Sequence, residues 1–242
     1  MSLRGAIGCV ALLLLAGAQC ATAGSFSVTP VRVELAQGHR TAVLTLRNPG
    51  DAPLTVQVSL VDWTQPDGED RYAATHDVLA TPPVFTIAGN SEQIIRVALR
   101  RDADATRELP YRIFFEEVPQ AAARDFNGLN VALRIGVPVF LQPRAAARSE
   151  LTWSLHGLPD GRLQIDAANS GTAHVQVTDF DLTFDAHGSR VHVGVVKYVL
   201  PGSRMSWIVT PPTGTSTTGT AHLHGFSDHG EFDAAVVNAP RP

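Results

Sequence analysis

From Leu129 to Pro143 the chain reads LNVALRIGVPVFLQP, and its hydrophobicity alternates throughout. The odd positions, Leu129, Val131, Leu133, Ile135, Val137, Val139 and Leu141, are all apolar. The even positions, Asn130, Ala132, Arg134, Gly136, Pro138, Phe140 and Gln142, are mixed and often polar. A period of two predicts one β-strand with a dry face and a wetter one. At ~3.3 Å per residue it would span roughly 50 Å, where a strand of about 5–6 residues is usual. A strand that long either crosses from one domain to the next or presents part of itself to something else. The expectation is that it does both.

The 242 residues suffice for one large or two ordinary domains. Residues 1–23 read as a secretory signal: Arg4 is the lone early charge, Ala6 to Ala16 is an apolar run too short to span a bilayer, and Ala21-Thr22-Ala23 is a small-x-small cleavage site. Both cysteines, Cys9 and Cys20, fall within it, so the mature chain is expected to hold its fold without a disulfide although it is exported. Without Arg4 there remain 18 basic against 23 acidic groups, a formal charge of −5. A mildly acidic chain is a poor nucleic-acid binder, and no later stretch reads as a membrane helix. The expected address is the periplasm, with no nucleic-acid partner and no stable membrane insertion.

After Ser25 no segment carries a helical period. Short alternating runs separated by Gly, Pro, Asn and Asp predict an all-β chain of sandwich type. The first half is expected to hold seven strands: Phe26–Leu35, Ala42–Arg47, Leu54–Trp63, Val84–Ala88, Gln93–Leu99, Tyr111–Val118 and Leu129–Leu141. Seven is the strand count of an immunoglobulin-like domain. Residues 143–149, PRAAARS, read as a linker. Strands then resume at Leu151–Leu155, Leu163–Ala167, Val175–Phe184, Arg190–Val199, Met205–Val209, Thr220–Gly225 and Glu231–Val237. The expected division is a first domain over 24–143 and a second over 144–242. Asn48 and Asn169, at strand ends, are expected to cap turns.

The order of features resembles the periplasmic chaperones of pilus assembly by the chaperone–usher route. The matching segments are TPVRVELAQG, LTLRNPGDAPLTVQVSLVDW, TPPVFTIAGNSEQIIRVALR, LPYRIFFEEVP and VALRIGVPVFLQP, followed by NSGTAHVQVTDFDL and YVLPGSRMSW in the second half. The spacing is most similar to the branch that includes the archaic systems and the spore-coat-protein-U-like pili. The resemblance implies two immunoglobulin-like β-sandwich domains set at an angle, with a cleft between them. It implies pilin subunits and an outer-membrane usher as partners, and no cofactor.

It also implies donor-strand complementation, in which the long strand completes a subunit sandwich that lacks its last strand. By similarity Leu129, Val131, Leu133 and Ile135 are the donor side chains, while Val137, Val139 and Leu141 are expected to pack in the chain's own core. The subunit's C-terminal carboxylate would be anchored at the cleft base. Arg32, in TPVRVEL, matches the family's first-strand arginine. The usual long-strand lysine is missing, because its position holds Pro138. Arg112, in YRIFF, and Arg134 are the two candidates to replace it. Pro138 cannot donate a ladder hydrogen bond, which predicts a strand edge or a change of partner there. Gln142 stands where familiar members carry an arginine of an interdomain salt bridge, so that bridge is not expected.

Two other readings remain open. His222 and His224 share a strand face, with His229 and Glu231 across a hairpin, an arrangement that suits copper or zinc on a secreted sandwich. A secreted adhesion sandwich would use the long strand only structurally. No Gly-x-Ser-x-Gly elbow, phosphate loop or His-Glu-x-x-His helix is present, so no catalysis is expected.

Overall fold

The computed structural model describes residues 26–119, 131–184, 188–215, 217 and 219–239. Ten strands build the first domain: β1 (Ser27–Thr29), β2 (Val33–Leu35), β3 (Thr41–Asn48), β4 (Leu54–Thr64), β5 (Arg71–Ala74), β6 (Val78–Thr81), β7 (Val84–Ile87), β8 (Ser91–Leu99), β9 (Leu109–Glu117) and β10 (Arg134–Leu141). They form two sheets, one in the order β1-β3-β8-β6, the other in the order β2-β10-β9-β4-β5 with β7 also on β4. This is the immunoglobulin arrangement of facing sheets. Alternate residues of each strand point inward, so Leu44, Leu46, Ile95 and Val97 of one sheet meet Val56, Ile113, Phe115, Val137, Val139 and Leu141 of the other.

The second domain holds β11 (Leu151–Gly157), β12 (Leu163–Asn169), β13 (Val175–Phe184), β14 (Ser189–Val193), β15 (Lys197–Val199), β16 (Arg204–Val209), β17 (Thr220–Ser227) and β18 (Gly230–Ala239). Its ladder runs β14-β13-β17-β18-β11-β12-β16, with β15 on β13. β18 meets β11 through only two parallel pairs, Leu155 with Asn238 and His156 with Ala239. Leu155, Ile165 and Trp207 from one limb and Phe180, Leu182 and Leu223 from the other enclose a single core.

One device appears in both domains. Asn48 Nδ2 donates to the carbonyls of Ala52, Ile87 and Ala88, while its Oδ1 accepts from Gly50 N. Asn169 Nδ2 donates to the carbonyls of Ala173 and Val199, and its Oδ1 accepts from Gly171 N and Glu150 N. Each buried asparagine satisfies backbone groups that its turn leaves unpaired.

Four sequence expectations need correction. The run Phe26–Leu35 is two short strands, because the chain leaves one sheet after Thr29 and joins the other at Val33, with Val31 78% exposed between them. Arg190–Val199 is likewise divided into β14 and β15. β5 and β6 were not anticipated; all four residues of β5 are exposed, so no hydrophobic period marks it. Among the described residues the long strand runs from Arg134 to Leu141, 8 residues, and leaves out Val131 and Leu133. Its neighbour β9 ends at Glu117, and a strand without a ladder partner has nothing to satisfy its backbone. Leu129 lies outside the described residues.

The two domains meet over a small apolar cluster of Trp63, Phe140 and Leu200, with Tyr198 packed on it. Gln65 ties them further: its Nε2 donates to Tyr198 O at 3.0 Å and its Oε1 accepts from Leu200 N at 2.9 Å. No helix among the described residues is long and apolar enough to cross a membrane.

Candidate functional site

β10 has a different neighbour on each side. β9 pairs with its whole length, from Arg134 opposite Glu116 to Leu141 opposite Leu109. β2 covers the other side only at Val139, Phe140 and Leu141. From Arg134 to Pro138 that outer edge has no partner strand among the described residues. Glu117 N donates to Leu133 O at 2.9 Å, so the backbone groups of the odd residues face β9. Those of the even residues face outward, as the bond from Gln142 N to Leu35 O shows at 2.8 Å. The missing N–H of Pro138 therefore falls on the open side, where it leaves the β9 ladder intact.

The outer face of the same sheet carries the cations. Pro138 lies opposite Arg112. On the other side β2 runs parallel with Val33 opposite Val139, which brings Arg32 level with Pro138. Arg32, Pro138 and Arg112 thus form one cross-strand row, and their parity is opposite to that of the buried Val33, Val139 and Tyr111. The adjacent row on this face holds Phe140 and Trp63, with ring centroids 6.1 Å apart and covered by the second domain. The arginine row comes next to it, with Pro138 buried at its centre.

Neither arginine is a bare charge. Arg32 Nη1 is 2.6 Å from Asp228 Oδ2 of the second domain, and its Nε is 3.6 Å from Glu34. Arg112 lies with its guanidinium carbon 4.5 Å above the Trp63 ring, and its Nη1 donates to Tyr72 Oη at 2.6 Å and lies 3.4 Å from Asp70 Oδ2. Its Nε is buried and has no hydrogen-bond partner among the described residues. Arg112 lines a cavity of about 290 Å³ between the domains, together with Trp63, Asp70, Lys197 and Tyr198. The Nζ of Lys197 donates to Ser206 O at 2.5 Å.

Arg134 stands apart from this pair. It is four residues from Pro138, roughly 13 Å along the strand, with its Nε 2.5 Å from Glu116 Oε1 and its guanidinium 3.8 Å from the Phe114 ring. Phe114 lies across Gly136; a Cβ on that glycine would stand 2.8 Å from Phe114 Cε1.

The expected donor side chains form a gradient. Val131 is 55% exposed, Leu133 and Ile135 are half-buried against their own domain's core, and Val137, Val139 and Leu141 are fully inside.

Sequence reasoning missed the junction network. His174 Nδ1 is 2.6 Å from Glu108 Oε1 of the first domain, and its Nε2 is 3.6 Å from Asp228 Oδ2. Gln142 Nε2 donates to the second oxygen of Glu108 at 3.1 Å. At this junction the imidazole of His174 lies between the two carboxylates, and Gln142 contributes only its amide. Burial alone would lower the His174 pKa, but its contacts to Asp228 and Glu108 outweigh it and the net shift is upward. Burial would raise Asp228, yet His174, the Gln176 N–H and Arg32 hold it well below the usual carboxylate range. A single histidine in the run TAHVQV carries no pattern from which this role could be read.

Of the histidines of β17, His224 lies in an exposed cluster with Glu231 and Asp233 whose ligand atoms are all within 4.8 Å of one another. His224 Nδ1 is 2.8 Å from Asp233 and its Nε2 is 3.3 Å from Glu231, so its two nitrogens serve different carboxylates, all of them exposed. His229 instead faces Ser149 and Asp228. His222 is not part of that cluster.

The sequence model of the family described as pili and flagellar-assembly chaperone, PapD N-terminal domain, matches residues 25–147. No protein of curated function matches the chain by sequence. Among solved structures, the chain is similar to one from the complex of the chaperone CsuC with the tip adhesion subunit CsuE, from archaic chaperone–usher pili of Acinetobacter baumannii. That match has a TM-score of 0.67 and 18% identity, over 89% of this chain and 99% of the other. It is similar to the YadV chaperone, with a TM-score of 0.62 and 22% identity over 87% and 98%. It is also similar to a structure of the Salmonella enterica SafA pilin with the SafB chaperone, with a TM-score of 0.60 and 20% identity over 90% and 98%.

Proposed function

The chain belongs to the pili and flagellar-assembly chaperone family, and from that membership we propose that it is a periplasmic chaperone that binds pilus subunits by donor-strand complementation and delivers them to an outer-membrane usher. The observation that carries this reading is the open outer edge of β10 from Arg134 to Pro138, beside the half-buried Leu133 and Ile135. A subunit lacking its last strand has an unpaired edge and an unfilled groove, both prone to aggregation. The β10 edge supplies backbone groups, and Leu133, Ile135 and the more exposed Val131 supply the filling. Leu133 and Ile135 are already half covered in the free chain, so each gains about half of the ~1.5–3 kcal/mol that full burial contributes.

At the foot of that edge, Arg32 and Arg112 flank Pro138 and form the seat for a terminal carboxylate; a guanidinium matches a carboxylate in shape as well as charge. Arg134, ion-paired with Glu116, acts toward the outer end of the strand rather than at this seat. The role requires no catalytic step. Co-expression with a pilin subunit tests it. The expected result is a soluble subunit that copurifies one-to-one with this chain; a subunit that precipitates equally with and without it overturns the reading.

A further inference from the structure

Tyr198 is an aromatic of the second domain that lines the same cavity as Arg112 of the arginine row. β15 carries it opposite Gln176, whose N–H donates to Asp228 Oδ1 at 2.8 Å. Its ring stands edge-on to Trp63 at 5.5 Å and packs on Phe140 and His174, each at 5.7 Å. The same Trp63 ring supports the Arg112 guanidinium, and Tyr198 and Arg112 line one interdomain cavity. We propose that the Tyr198 hydroxyl is the third arm of the carboxylate seat, donating a hydrogen bond to the terminal carboxylate of a bound polypeptide held between Arg32 and Arg112. The proposal rests on the subunit-binding reading above.

Three considerations support it. Both guanidinium groups already hold side-chain partners, Arg32 with Asp228 and Arg112 with Tyr72 and Asp70, so part of each fork is directed away from the seat, and a donor from the second domain adds to what remains. The phenol keeps its proton: burial raises its pKa, Asp228 adds to that, and the opposing pull of Arg32 and Arg112 does not reverse the net shift. It therefore enters the seat as a donor, which a neutral hydroxyl beside two cations must be to assist an anion. Finally, the hydroxyl comes from the second domain while both arginines come from the first, so the complete seat exists only where the domains meet. A chain entering along the β10 edge ends there, which favours a terminus over a side-chain carboxylate.

The test uses the mature chain with 15N-labelled arginine, titrated with sodium acetate against acetamide at matched ionic strength. The Nε–H resonances of Arg32 and Arg112 are expected to shift saturably with acetate and not with acetamide. Tyr198→Phe, which keeps the ring contacts to Trp63 and Phe140, is expected to weaken acetate binding by roughly three- to tenfold, the scale of one charge-assisted hydrogen bond in a partly wet site. Equal acetate affinity in the wild type and Tyr198→Phe overturns the role of Tyr198 and leaves the two-arginine seat standing. No saturable shift in the wild type removes the seat altogether, while donor-strand binding is still judged separately by subunit rescue.

Discussion

Phe140 of the first domain and His174 of the second lie face to face, with ring centroids 3.5 Å apart and planes 7° from parallel. The stack fixes the imidazole plane and thereby aims one nitrogen at Glu108 and the other at Asp228. Because Asp228 also holds Arg32, the charge on His174 and the orientation of Arg32 share one carboxylate.

The junction should therefore respond to pH. The His174 pKa is raised above 6.5, so the protonated ring is favoured in the folded state. That contribution is fully present below about pH 6.5 and is lost as pH rises through the raised value. Asp228 works the other way: its pKa is held low, so its contribution is present above its ordinary value and is lost as pH falls through the folded one. The stability difference between wild type and His174→Asn is expected to be about 3 kcal/mol near pH 5.5 and clearly smaller near pH 8.5. Thermal unfolding of both proteins at the two pH values checks this; an equal difference at both would show that folding does not shift the ring's pKa, and a smaller one at the lower pH that the ring is held neutral.

Arg112 and Arg134 differ in position, and their variants should differ in effect. Arg112→Leu is expected to reduce copurified subunit by about tenfold or more, the cost of one desolvated charge-assisted contact. Arg134→Leu breaks an exposed pair with Glu116 and should lower the yield by less than about threefold. Equal losses for the two variants would place the seat elsewhere on the strand.

Along the donor strand, the same substitution should change its meaning within a few residues. Val131→Asp sits on an exposed position and is expected to leave the melting temperature of the free chain unchanged while abolishing subunit capture. Val139→Asp places a carboxylate in the sandwich interior and is expected to cost at least ~3 kcal/mol of stability. Undiminished capture by Val131→Asp would remove that residue from the donor segment.

Gly136→Val tests the ring laid across the strand. The new side chain must push Phe114 aside, and with it the contacts of that ring to Arg134 and Tyr72. A loss of about 1–3 kcal/mol is expected, as for other overpacked sites, read as a lowered denaturation midpoint. No loss would mean that Phe114 slides away without resistance.

Much of the architecture could be read in advance because alternation is a local property. Strands such as β3, β8 and β9 announce their inward faces residue by residue, and Asn48 and Asn169 sit where turn chemistry requires a capping side chain. The ends of strands are less legible. The pattern of alternating side chains includes Val131 and Leu133, but the ladder that would make those residues part of the strand depends on where β9 stops, which is a matter of pairing and not of side-chain pattern. β5 is hard to see for the opposite reason, since it is paired but its four residues stay exposed. At the site, Arg32 and Arg112 stand out as charges among apolar neighbours, whereas the network of Glu108, His174 and Asp228 joins positions 66 and 54 residues apart that no local signal connects. The Arg32–Asp228 contact spans 196 residues and became visible only once both domains were in place.

Pro138 gives the outer edge of β10 a fixed zero mark. Phe140 is already engaged by β2, and Pro138 offers an acceptor but no donor, so Gly136 and Arg134 are the first complete rungs an arriving chain can grip. If the arginines level with that mark seat a terminal carboxylate as proposed, an incoming segment would be measured from its tail outward, and its length rather than its composition would decide which of its side chains fall opposite Ile135 and Leu133. On that reading the edge would work as a ruler, and lengthening a guest by one residue before its end would turn its greasy side to the solvent.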